Sequence, residues 1–323
     1  MLTILLAACQ QDLIIDADIP EPDAELVVNG LFRPDSLWEV YVNTTTPLLG
    51  TTKPAAVADA RVEILEGDQV IDVLTYERSL FSQTLPHVFF DPAQNRASMG
   101  RYRSQVKHPR VGTAYRIRVS APGFAPVTGN GHIPRQVAIL EGSYRRDVAA
   151  DVVGALDEVR VRFEDPAGET NYYNLRVHHR GVDATSGFVG SVSYGFSVIS
   201  DLQDDFFGAD PDDFLGDRDL FEVKEDGVTF NDAFFDGQHK EIVLQVRGEA
   251  ARGCATNGPV VCQTIVELSS VSEAFYRYHR TLQLQSESAE NPFAEPVRIF
   301  SNMDNGLGIF AGYNTARWVH ERR

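Results

Sequence analysis

Apolar and polar positions alternate with period two over most of this chain, the pattern of half-buried antiparallel strands. The alternation is clearest where Tyr115, Ile117 and Val119 take one face and Arg116, Arg118 and Ser120 the other. The same reading predicts strands at 25–32, 37–42, 60–65, 70–76, 100–106, 113–121 and 124–131, separated by turn residues. Seven short strands with no amphipathic helix among them predict an immunoglobulin-like β-sandwich over residues 24–134.

Ile133-Pro134 closes that unit, and a second β-rich unit is expected over 135–323. Val159, Val161 and Phe163 alternate with Arg160 and Arg162; Tyr173, Leu175 and Val177 alternate with Asn174 and Arg176. Between them Asp165-Pro166-Ala167-Gly168 has turn composition, so strands at 156–164 and 171–179 are expected to form a hairpin. Further strands are expected at 137–144, 188–200, 241–247 and 261–268. The period then changes once. Ser270-Val271-Ser272-Glu273 reads as a capping box with Ser270 as N-cap. Val271, Ala274, Phe275, Tyr278 and Leu282 follow at helical spacing, predicting one helix at about 271–285. Closing strands are expected at 297–301 and 307–313, where Gly306, Gly308 and Gly312 allow close backbone approach. The expected fold is all-β: an N-terminal sandwich and a second sandwich-like unit carrying one helix near the C-terminus. The run Gly112–Phe124 is similar to the paired last strands of transthyretin-like modules, a likeness of fold alone.

Composition narrows the function classes. A chain of 323 residues exceeds the usual size of one core, and 43% hydrophobic and 10% aromatic content suffices for packed interiors. A net charge of −17 argues against nucleic acid, whose phosphates require a basic footprint.

At the front of the chain, Leu5-Leu6-Ala7-Ala8-Cys9 has the form of a lipoprotein cleavage point: an apolar run, two small residues, then cysteine. Met1–Ala8 supplies only the end of such a run, with no Lys or Arg before it, so the signal reads as curtailed. On this reading residues 1–23 are signal remnant and tether, acidic and proline-marked, and Cys9 carries acyl chains. Cys254 and Cys262, eight positions apart, are then expected to form a disulfide, since no histidine lies near to make a metal site of them. Closing so short a loop contributes roughly 2–3 kcal/mol on the chain-entropy view.

Candidate chemistry is sparse. The densest acid cluster lies at 201–226, and Asp210, Asp212, Asp213, Asp217 and Asp219 have the hard oxygens calcium prefers. An EF-hand counted from Asp210 fails, because its twelfth position is Phe221. A solvated acidic loop and a calcium site of another kind are the two readings. Phe81, Phe89 and Phe90, in the long connection between 79 and 98, are either a contact surface or side chains filling a neighbouring core. His178 and His179 would point to opposite faces of a strand and cannot chelate one ion together. No H-E-x-x-H, Walker A or dinucleotide fingerprint occurs, and Gly190–Gly195 lacks the first glycine of a serine elbow. No cofactor other than calcium is suggested, and the expectation is a protein without catalytic activity.

Four pieces carry a family resemblance: the LLAAC site, Glu25-Leu26-Val27-Val28-Asn29-Gly30-Leu31-Phe32, the Tyr115–Phe124 strand ending, and a C-terminal combination. The last comprises Glu273-Ala274-Phe275-Tyr276-Arg277-Tyr278, Asn291-Pro292-Phe293-Ala294-Glu295-Pro296 and Asn305–Tyr313. Together they resemble Bacteroidota lipoproteins of the domain-of-unknown-function 4249 family. The resemblance implies an outer-membrane location and a TonB-dependent receptor as partner, and Gln10-Gln11-Asp12 just after the anchor resembles the polar-acidic signals that direct such lipoproteins to the cell surface. It implies no catalytic residues. The functional expectation is a non-catalytic binding or accessory subunit in nutrient uptake, with a stand-alone adhesin or structural lipoprotein, or a hydrolase, as the alternatives.

Overall fold

The computed structural model describes residues 23–46, 56–79, 99–151, 154–183, 189–193, 196–198, 221–223, 227–247, 260–289, 295 and 297–322. Among the described residues the molecule is mostly β, with one helix near its C-terminus and curled sheets packed in a sandwich-like arrangement.

The N-terminal half holds β1 (Leu26–Phe32), β2 (Glu39–Thr44), β3 (Arg61–Glu66), β4 (Gln69–Ser79), β5 (Met99–Arg103), β6 (Ala114–Ser120) and β7 (Val127–His132). The alternation predicted for β6 is realised: Tyr115, Ile117 and Val119 are buried. They join Leu26, Val28, Phe32, Trp38, Val62, Ile64 and Val127 in the first core. Strand order β1-β2-β5-β4-β3-β6-β7 makes this half a curled sheet around that core.

The C-terminal half holds β8 (Ile139–Asp151), β9 (Gly154–Glu164), β10 (Tyr172–Asp183), β11 (Val189–Ser193), β12 (Phe196–Val198), β13 (Phe221–Val223), β14 (Val228–Asn231), β15 (His239–Arg247) and β16 (Val260–Val271). After them come α1 (Glu273–Ala289), β17 (Met303–Asp304) and β18 (Leu307–Arg322). A smaller sheet, β13-β12-β15-β9-β8, faces β10, β14 and β16 across the second core. Val159, Val161 and Phe163 of β9 meet Tyr173, Leu175 and Val177 of β10 there.

The expected hairpin between β9 and β10 does not form. β9 pairs with β8 and β15, and β10 with β11, β14 and β16, so the two strands lie in opposite sheets. The turn after Glu164 is an arch over the end of the core rather than a hairpin bend. Both strands keep their apolar face inward, so an arch satisfies the same alternation as a hairpin.

β18 joins the halves. Residues 307–312 pair in parallel with β1, and 313–322 pair antiparallel with β16. β17 pairs with β7. Two pieces that follow α1 in sequence thus pair with strands of the N-terminal half, and they supply Met303 and Phe310 to the first core. Phe310 lies 4.6 Å from Phe32 and 6.0 Å from Trp38 between ring centroids. Asn302 pins the junction, donating to the carbonyls of Asn130 and Phe310 and accepting from the Phe310 amide, each at 2.9 Å. Gly308 has φ +113°, and a Cβ there would overlap the Val28 carbonyl oxygen; one at Gly312 would overlap that of His132.

Two further expectations are corrected. β16 runs on to Val271, so the N-cap is Ser272, whose Oγ accepts from the Phe275 amide at 3.4 Å. Ser270 instead accepts from the Val137 amide at 3.1 Å, a tertiary contact that local sequence cannot show. Residues 297–301 are not a strand. They run along α1, where the Phe300 amide donates to Thr281 Oγ1 at 2.9 Å and Arg277 lies over the Phe300 ring at 4.2 Å.

Candidate functional site

The helix lies on the outer face of the long sheet, where β10, β16, β18 and β1 run side by side. Val271, Phe275, Tyr278, Ile309 and Ala311 form a small third core beneath it. Beside that core is a pocket of about 50 Å³ lined by residues of all five elements and the turn after β1. Its floor follows from strand register. Arg176, Glu267 and Arg317 form one row across β10, β16 and β18; Asn174, Ser269 and Thr315 form the next. These are the polar partners of the inward Tyr173, Leu175, Val177, Val266 and Leu268, turned outward by the pleat. Phe275 and His279 of α1 make the roof, their rings 4.1 Å apart, and Leu31, Arg33 and Tyr313 close the β1 side.

Within the floor, Glu267 Oε1 accepts from Arg317 Nε at 2.7 Å, and the hydroxyls of Ser269 and Thr315 lie 2.7 Å apart. Arg33 is engaged by Asp35 at 3.0 Å. Burial pushes the His279 imidazole down to about 3, with the Arg176 charge acting in the same direction. The roof is therefore neutral at physiological pH. Burial also raises the Tyr313 hydroxyl, which stays a hydrogen-bond donor.

A second constellation sits at the arch between β9 and β10. Carboxylate oxygens of Asp165, Asp232 and Asp236 all lie within 4.8 Å of one another, the spacing of a divalent-cation site. Their hydrogen bonds already occupy them structurally. Asp165 accepts from the Tyr173 hydroxyl on one oxygen and from the Gly237 amide at 3.0 Å on the other. Asp232 accepts from the amide and side chain of Asn171, and Asp236 from the Gly168 amide. Burial raises the Asp165 carboxyl, with Asp232 and Asp236 adding to the shift against the lowering bonds from Tyr173 and Gly237. These bonds tie the arch to the loop 232–237, so the group is an architectural corner.

Of the residues singled out from sequence, Cys9, Cys254, Phe81, Phe89, Phe90, Asp210, Asp212, Asp213, Asp217 and Asp219 lie outside the described residues. Cys262 is buried on β16, in register with Gly181. His179 points into the second half, where Thr264 Oγ1 lies 3.0 Å from its Nδ1; burial first, then the His178 charge, push it down to about 4. The pocket residues were not singled out from sequence. Their only signal was that Asn174 and Arg176 occupy the polar phase of a strand, which an ordinary solvent-facing edge would also show.

Two principal cores joined through one long strand, β18, with a helix roofing a polar pocket on the outer face, define a mostly β body among the described residues. Residues 14–318 match the family described as domain of unknown function 4249, and the chain belongs to that family. No curated protein matches it.

Proposed function

We propose that this protein is a lipoprotein of the outer membrane, held by acyl chains on Cys9 and facing the cell surface. There it serves as a non-catalytic binding or accessory subunit beside a TonB-dependent receptor in nutrient uptake. The observation that carries the reading is the Leu5-Leu6-Ala7-Ala8-Cys9 sequence followed directly by an acidic, proline-marked tether. Family membership is consistent with it and adds no catalytic residue. Among the described residues no helix is long and apolar enough to cross a membrane. Acyl chains contribute about 0.8 kcal/mol per buried methylene, and more than one chain is needed for stable attachment.

In the same compartment a Cys254–Cys262 disulfide would fix the start of β16; no cofactor belongs to this proposal, and calcium at Asp210, Asp212, Asp213, Asp217 and Asp219 is the alternative to a solvated acidic loop there. The reading is tested by fractionation and gentle solubilisation of the native chain. Cys9→Ser, expressed with a full signal, is expected to leave the membrane fraction, and the wild-type chain to co-purify with a receptor. A Cys9→Ser protein retained in the membrane would remove the anchor. A wild-type chain recovered alone would remove the partner.

A further inference from the structure

We propose that the pocket between α1 and the β10-β16-β18-β1 face binds the carboxylate group of a small organic acid, with Arg176 as its counter-ion. Charge is laid out in register here: Arg176 and Arg317 flank one carboxylate, Glu267, on adjacent strands. Glu267 is given to Arg317, at 2.7 Å. Arg33, the third guanidinium, is engaged by Asp35. Among the described residues Arg176 has no carboxylate within ion-pair distance, and the Tyr313 hydroxyl has no acceptor. Among the described residues, Arg33 and Arg176 line this pocket and Arg317 lies beside its Glu267, against the two carboxylates of Glu267 and Asp35, on a chain whose net charge is −17. Among these groups the local excess is one positive charge.

That excess matches a monoanion. A guanidinium presents paired N–H donors suited to the two oxygens of a carboxylate. Asn174, Ser269, Thr315 and Tyr313 supply further amide and hydroxyl groups on the same side. Size points the same way. A water-sized group needs about 10–15 Å³ of such space, so the 50 Å³ pocket holds a carboxylate with the carbon that bears it, and the remainder of the ligand extends through the mouth. Phosphate, a mixture of monoanion and dianion at neutral pH, carries on average more negative charge than Arg176 balances. Above the floor, Phe275 and the neutral His279 provide an apolar roof in which a charge-assisted bond gains strength from partial desolvation.

This site does not depend on a lipid anchor or a receptor. It is tested on the full chain by following thermal unfolding in sodium acetate, formate, phosphate and chloride at equal ionic strength. Acetate and formate are expected to raise the melting temperature above the chloride value. Arg176→Gln, checked for intact fold by circular dichroism, is expected to weaken acetate binding at least tenfold. Glu267→Gln, which removes the competing carboxylate, is expected to strengthen it. An equal response to chloride and acetate, or acetate binding unchanged in Arg176→Gln, overturns the site. Tighter binding of phosphate than acetate overturns the assignment to carboxylate. If Arg176→Gln fails to fold, the strengthening expected in Glu267→Gln decides the matter alone, and its absence overturns the site.

Discussion

At the scale of single residues, the buried histidines make the fold sensitive to acid in a defined direction. His279 and His179 are held down to about 3 and about 4 by burial. In the unfolded chain both take a proton near pH 6.5. Below that pH the unfolded state binds protons that the native state refuses, so stability falls as pH drops from 6.5 towards 4. Each histidine contributes a slope of about 1.4 kcal/mol per pH unit at most. Asp165 acts oppositely. Its raised carboxyl stabilises the fold below the ordinary value of 3.8, and that contribution is lost as pH rises through the folded value. His279→Leu separates these effects. Denaturant midpoints at pH 7, 6 and 5 are expected to show the variant closing on the wild type, or passing it, as pH falls. A constant gap across that range would contradict the burial of a neutral imidazole.

At the scale of elements, the junction of β1 with β18 rests on a glycine. A side chain at Gly308 meets two penalties, the φ of +113° and overlap with the Val28 carbonyl across a parallel pairing. Gly308→Ala is expected to cost about 2 kcal/mol or more, read as a lowered denaturation midpoint. Gly112→Ala is the control, because only φ, at +73°, is unfavourable there and no atom lies within 4 Å of where its Cβ would sit. Equal losses in the two variants would show that close approach does not matter.

How far these elements were legible depends on what set them. Strands fixed by their own alternation, such as β6, β9 and β10, were placed to within a few residues, because each buries one face and register on that face cannot slip by one. Sheet membership was not legible at the arch. Asp165-Pro166-Ala167-Gly168 bends the chain, but whether the next strand pairs or crosses over is decided by partners contributed from β14 and β16. The helix start moved from Ser270 to Ser272 for a comparable reason: two serines two apart both suit a cap, and a tertiary bond from Val137 claims the first. The pocket was illegible because its floor is assembled from three strands whose pairing separates Arg176 from Glu267 by 91 positions in sequence (267 − 176).

At the scale of the whole molecule, the two cores are closed by the same strand. Phe310 of β18 fills the first core, with Met303 of the preceding β17 beside it, and Trp318 of β18 packs against the second. A fragment spanning 24–134 lacks the first two and leaves β1 without its parallel neighbour. It is therefore expected to show no cooperative thermal transition, whereas the full chain unfolds with both halves coupled through β18. A sharp, reversible transition of the isolated fragment would show that β18 is dispensable to that half.

The parallel pairing of β1 with β18 also has a mechanical side. In a chain tethered by its N-terminal end, a pull enters at the start of β1 and is opposed by the body to which β18 belongs. The residues from Val27 to Phe32 pair with those from Leu307 to Gly312 along the line of that pull. Force is then shared across the whole set of backbone bonds as shear, and they must yield together. An antiparallel hairpin in the same place, pulled at its open end, would be peeled one bond at a time. Were the chain held by its N-terminal end, as proposed, β1 would be the strand that bears the load.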